Sequence, residues 1–500
     1  MLQQRFKFSL KHILIIYSIM LFAFFAFLKY PNRYGDGFEY IYMAESFIQH
    51  KTPELLDSDL QIAQSKLRIK NAYIPIAPPK NGYFETDKGE YYSCHFWLYP
   101  LIVSPIQQVI HFLSGNELKA FQITNLLFYL LMLWIIYFYS PKEKRRLLII
   151  LMAISPLVPY ITWTHPEVFC ASLVTIALVF YLKGNLAIAI LTSALAANQN
   201  PPIGFLTIWC GIVYLHRVWT QYRKENVFDL RSFILTGFCG IPLMFSPLFY
   251  FIHFSAFNLI QKAGGTDIRL ITFHKLFSYF FDLNQGAILF SGILLFVFIG
   301  CVLKNIIRKD FKYIEFVICT LLFAGLSLAA PNWNCSISCV IRYFVWTYPL
   351  LVFYVVYASS WSKKTLLVGL LVFNAFVLAV IHDGFSGEDN YMNHNTIAQY
   401  VLSNYPSLYN PEHEIFIERT LHREGPSTEP VVFLDKTNRI RKILTNKKGW
   451  QNLGSNGKYL IANQQFYQEK LRNFDQSDNT IEYIDILNDE IILSSVQNKD

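Results

Sequence analysis

Apolar runs of roughly a dozen to twenty residues, the scale set by a bilayer core, recur along the first three quarters of the chain, separated by polar connections. They cover residues 13–28, 120–139, 147–162, 168–182, 186–197, 203–215, 233–252, 287–303, 314–329, 344–357 and 366–381. Read as spans, they predict about eleven crossings. A further apolar stretch, 96–113, is expected to lie along or dip into the outer leaflet, because one more crossing would invert every loop after it. Beyond His382 the pattern changes to short runs of β-formers at 414–417, 430–434, 458–462, 481–486 and 490–493, broken by Gly, Asn and Asp. With a helical stretch at 396–403, they predict a small strand-rich α+β domain.

Charge orients this pattern. Basic residues cluster at 5–11, 142–146, 217–231, 304–312 and 363–364, with Lys183 alone in another short connection. Short basic loops stay in the cytoplasm, so the N-terminus is expected inside and the segment from 382 to 500 outside. The expected location is the inner (plasma) membrane, with many passes. Composition agrees: of 500 residues, 53% are hydrophobic and only 16% charged, where a soluble domain carries about a quarter charged. The formal charge of +8 raises the question of nucleic acid, but the basic residues sit between apolar runs and no recognition motif accompanies them. Nucleic acid is therefore not an expected partner; the lipid bilayer is. The first run follows Arg5, Lys7 and Lys11 as a secretory signal would, yet no small-residue cleavage site precedes Lys29-Tyr30-Pro31. It is expected to stay as the first helix. Of eight cysteines, Cys335 and Cys339 share a polar connection and would pair only in an oxidising compartment.

The candidate chemistry falls in the outer connections. Asp36 and Glu39 follow the first span, three residues apart. That spacing is ordinary for a helix capping box, in which each side chain accepts from a backbone N–H. It also suits a carboxylate that takes a proton from an acceptor hydroxyl. His165 and Glu167 flank Pro166 at another outward turn, which is helix-start grammar or part of one polar cavity with Asp36. His95 and Gln285 are further polar candidates. Arg342 opens an inward run, where it either snorkels to the headgroups or clamps a phosphate.

Several phrases together resemble the GT-C glycosyltransferases, membrane enzymes that take a sugar from a polyprenyl-phosphate carrier. They are Gly35-Asp36-Gly37 with Glu39-Tyr40 and Met43-Ala44, then Gly89-Glu90-Tyr91-Tyr92 followed by His95 and Tyr99-Pro100. Later come Phe281-Asp282-Leu283-Asn284-Gln285-Gly286, Arg342-Tyr343, and Leu408-Tyr409-Asn410-Pro411 leading to Glu414-Ile415-Phe416. Their order and the topology resemble the protein O-mannosyltransferases and aminoarabinose transferases. The resemblance implies an α-helical polytopic membrane protein, with a GT-C-like transmembrane module over 1–381, a large first outer loop at 30–119, and an extracytoplasmic domain over 382–500. It implies Asp36 as the catalytic acid, acting as base on the acceptor, with Glu39 beside it; His95, His165, Glu167, Gln285 and Arg342 are the substrate-binding candidates read from the outer connections. Many relatives carry adjacent Asp-Glu, whereas Gly37 and Phe38 separate the acids here, which leaves the role of Glu39 open. The implied partners are a polyprenyl-phosphate-linked sugar donor and a glycan, lipid or protein acceptor. Some relatives use a divalent metal and others do not, so the metal is left open. The rival expectations are a transporter or flippase for lipid-linked saccharides, and a polymerase of them.

Overall fold

The computed structural model describes residues 9–31, 36–69, 82–113, 115–331, 333–334, 336–337, 340–358, 369, 392–453, 458–474 and 481–493. It divides into two compact units, one of residues 1–271, 296–331 and 343–368, the other of 272–295, 332–342 and 369–500.

The first unit is built almost wholly of helices. Among the described residues, five helices are long and apolar enough to cross a membrane: Leu10–Leu28, Lys119–Tyr139, Pro201–Glu225, Leu230–Phe254 and Ala287–Ile307. The last runs on from the second unit. Leu186–Gln199, Ile314–Ser327 and Phe344–Ala358 are apolar but shorter. At the centre stands the Glu167–Lys183 helix, buried on every side from Glu167 to Phe180. It packs against Lys119–Tyr139, Leu186–Gln199 and Phe344–Ala358. An all-round apolar helix of this kind can only sit inside a bundle. The outer helices carry the opposite pattern, with Ile208, Ile212, Leu215, Phe238, Ile252 and Phe296 exposed, as a hydrocarbon-facing surface requires.

Several expected spans take another form. Residues 147–162 are not one helix: Lys142–Ala153 ends at Ile154, and a single turn, Leu157–Tyr160, follows. Pro156 is the cause, since a proline disfavours helical geometry in the residue before it. Residues 233–252 lie within the continuous Leu230–Phe254 span, whose two α-helical parts are joined by a 3-10 turn at Pro242. The run at 203–215 extends as one helix to Glu225. The 96–113 stretch is the Leu98–Phe112 helix. The run at 366–381, apart from residue 369, and the Cys335–Cys339 pair lie outside the described residues. The first helix ends in a π-turn, Phe24–Leu28, whose C-terminal carbonyls are capped by Lys119, its Nζ 2.6 Å from the carbonyl of Ala26.

The second unit is mixed α and β. Val431–Leu434, Ile440–Thr445 and Glu482–Asp485 form an antiparallel sheet in that order, and Tyr459–Ile461 pairs with Ile491–Leu493. Trp450 stacks on Tyr467 beneath them, 5.2 Å between rings. The strand expected at 414–417 is instead part of a helix, His413–Leu421. Glu412 caps it by accepting from the N–H of Glu414 at 2.8 Å. This cap starts a helix that a short apolar run alone does not distinguish from a strand. The Ile440–Thr445 strand and the Gln464–Asn473 helix were not anticipated.

Candidate active site

Asp36 precedes the Gly37–His50 helix, and Glu39 lies in its first turn. The capping box does not form. The Asp36 side chain makes no capping hydrogen bond; the N–H of Glu39 bonds to the Asp36 backbone carbonyl instead. Both carboxylates are thereby left for other partners. His165 Nε2 lies 2.7 Å from Asp36 Oδ1, and His95 Nε2 lies 2.7 Å from Asp36 Oδ2. The other ring nitrogen of His95, Nδ1, is 2.8 Å from Glu39 Oε2. Four residues from three separate stretches thus form one chain of charge: His165, Asp36, His95, Glu39.

With a carboxylate at each ring nitrogen, His95 can donate from both only as an imidazolium. Burial alone would push its pKa down, but the charge of Glu39, helped by Tyr40, Cys94 and Asp36, more than reverses this and holds it well above the ordinary imidazole range. The buried Nδ1 of His165 makes no hydrogen bond among the described residues. The Tyr40 ring meets both imidazoles edge-on, 5.5 Å from each, which restrains their tilt. Asp36 stays 20% exposed at its side chain, whereas Glu39 is 5% exposed.

Local folding explains the placement. The loop carrying His165 is held by Asn125, whose Nδ2 donates to the carbonyl of Trp163 at 2.9 Å while its Oδ1 accepts from the Tyr99 hydroxyl at 3.0 Å. On the other side, Tyr83–Glu85 and Tyr91–Ser93 form an antiparallel hairpin closed at Gly89. It delivers Ser93 and His95 to Glu39: the Ser93 hydroxyl bonds to Oε2 of Glu39, and the His95 N–H donates to Ser93 Oγ at 2.9 Å. The Tyr250 hydroxyl donates to the carbonyl of His95 at 2.8 Å. Gly82 stands where it does because φ is +76° and because any Cβ there would collide with the Glu39 carboxylate.

The structure therefore brings Asp36, Glu39, His95 and His165 together. Glu167, buried at the head of the central helix, is in the same unit. Gln285 and Arg342 belong to the other unit. There Gln285 is fully buried, its side-chain oxygen accepting from Arg419 at 2.6 Å. Arg419 also donates to Asn334 Oδ1 at 2.9 Å, Asn334 bonds to Glu414, and Asp282 accepts from the Tyr409 hydroxyl at 2.7 Å. This buried polar network ties together four stretches of the second unit. Gly82, Tyr83, Ser93, Cys94 and Arg419 were missed in the sequence. The signal for the first four was the Asp87-Lys88-Gly89 turn between two aromatic pairs, which marks a hairpin; Arg419 carried none.

Scanned against family models, curated proteins and solved structures, the chain returns no match.

Proposed function

We propose that this chain is an integral membrane glycosyltransferase that moves a sugar from a polyprenyl-phosphate donor to an acceptor hydroxyl on the extracytoplasmic face, with inversion. The observation that carries the reading is Asp36: a partly exposed carboxylate, directly after the first apolar helix, with each oxygen held by a histidine. The two imidazoles fix its direction, which is what a general base needs before its substrate arrives.

In the reaction, the acceptor oxygen attacks the anomeric carbon while Asp36 takes its proton. The bond from that carbon to the phosphate oxygen breaks, and the electron pair leaves with the lipid phosphate. Apolar helices around the site suit a long polyprenyl tail. A density map of the protein with a polyprenyl phosphate bound tests the assignment: the phosphate headgroup is expected within reach of Asp36 and His165. A headgroup seated away from both would remove the reading.

A further inference from the structure

Beside Asp36 the same hairpin places a thiol that sugar transfer does not use. Cys94 Sγ lies 3.5 Å from His95 Nδ1 and 3.9 Å from Glu39 Oε2, and Nδ1 lies 2.8 Å from Oε2. Cys94 is in no disulfide. All three donor atoms lie within 4.8 Å of one another. A tetrahedral zinc site, with Zn–S about 2.3 Å and Zn–N or Zn–O about 2.0 Å, separates sulfur from its neighbours by ~3.5 Å and nitrogen from oxygen by ~3.3 Å. To match it, the triangle here must open by about 0.5 Å between His95 and Glu39 and close by about 0.4 Å between Cys94 and Glu39.

We propose that Glu39, Cys94 and His95 bind one borderline-soft divalent ion of the zinc class, with the fourth tetrahedral position open to water or an oxygen ligand. The surroundings fit. Metal-bound histidines commonly give their other ring N–H to a carboxylate, and His95 Nε2 is 2.7 Å from Asp36 Oδ2. The ligating carboxylate is itself held by Ser93, and the missing Cβ of Gly82 leaves it room. Mixed thiolate, imidazole and carboxylate donors select zinc over magnesium or calcium, which favour all-oxygen shells. Binding replaces the Nδ1 proton and the thiol proton, both released to solvent. The proposal stands on these donors alone and does not depend on the sugar-transfer reading.

The test is cobalt(II) titration of the purified full-length protein in detergent, read by absorption, with metal content measured in parallel. One cobalt per chain is expected, with a sulfur-to-cobalt charge-transfer band and the visible bands of tetrahedral coordination, and zinc should displace it. Cys94→Ser should abolish the charge-transfer band, His95→Gln should lower the affinity at least as much, and Asp36→Asn should weaken binding about 10- to 100-fold through the histidine it orients. Cys170→Ser and Cys210→Ser should change nothing. No cobalt bound by the wild-type protein, a spectrum without the sulfur band, or a band that survives Cys94→Ser would overturn the proposal. These readouts need no turnover, so they are separate from the fate of the transferase assignment.

Discussion

Glu39 shows why one spacing can be read two ways. Asp-x-x-Glu predicts a capping box, and the residues do begin a helix, but the two side chains point to His165, His95 and Ser93. The acids and histidines were legible as candidates because they fall in polar connections at the ends of apolar runs. What the sequence could not disclose was how they meet, since Ser93 and His95 are more than fifty positions from Glu39 and reach it through a hairpin. Gly82 is the residue on which that approach depends. Gly82→Ala forces an L-residue to φ +76° and drives a methyl into the Glu39 carboxylate. It should cost about 1 kcal/mol or more, seen as a lower thermal midpoint in detergent, and an unchanged midpoint would contradict the packing described for Glu39.

The elements were legible where apolar length decided them and illegible where a single cap or proline did. The Lys119–Tyr139 helix matches its apolar run, while Pro156 cuts one expected span. Glu412 turned an expected strand into the His413–Leu421 helix. Within the Lys119–Tyr139 helix, Asn125 reads as a polar interruption in an apolar run, yet it holds the His165 loop. Asn125→Ala leaves the Trp163 carbonyl and the Tyr99 hydroxyl without that partner, and an orphaned buried polar group costs about 1–3 kcal/mol. The expected outcome is a destabilised protein with faster hydrogen exchange across residues 162–168. Wild-type protection there would show that the loop is held by something else.

At the scale of the whole molecule, the two compact units were only half legible. A change of composition marks 382 onward, but the second unit also takes residues 272–295 and 332–342, through contacts such as Arg419 with Gln285 and Asn334 that no local pattern announces. Its buried titratable groups set a pH window. Burial, with Glu412 adding, pushes Glu414 up to about 8 from an ordinary 4.5 despite the opposing charge of Lys275. Burial, with Arg419 and His422 adding, pushes His394 down to about 3 from 6.5. Glu414 binds its proton more tightly when folded, so its contribution is complete below 4.5 and is lost as pH rises toward 8. His394 binds its proton less tightly when folded, so stability is lost as pH falls from 6.5 toward 3. Between 4.5 and 6.5 the two slopes, each about 1.4 kcal/mol per pH unit at most, oppose one another. Protection factors in the His413–Leu421 helix should therefore plateau in that interval and fall on both sides; a steady rise up to pH 8 would contradict the burial of Glu414.

The most direct measurement of the central claim compares wild-type protein with Asp36→Asn in release of polyprenyl phosphate from polyprenyl-phosphate sugars, using purified protein and a panel of acceptors. General-base catalysis of this kind contributes about 10²- to 10⁴-fold. Wild-type turnover with a loss of that size in a variant that still inserts and folds is the expected result. Equal turnover by both proteins, or none by the wild type with any donor, would contradict it.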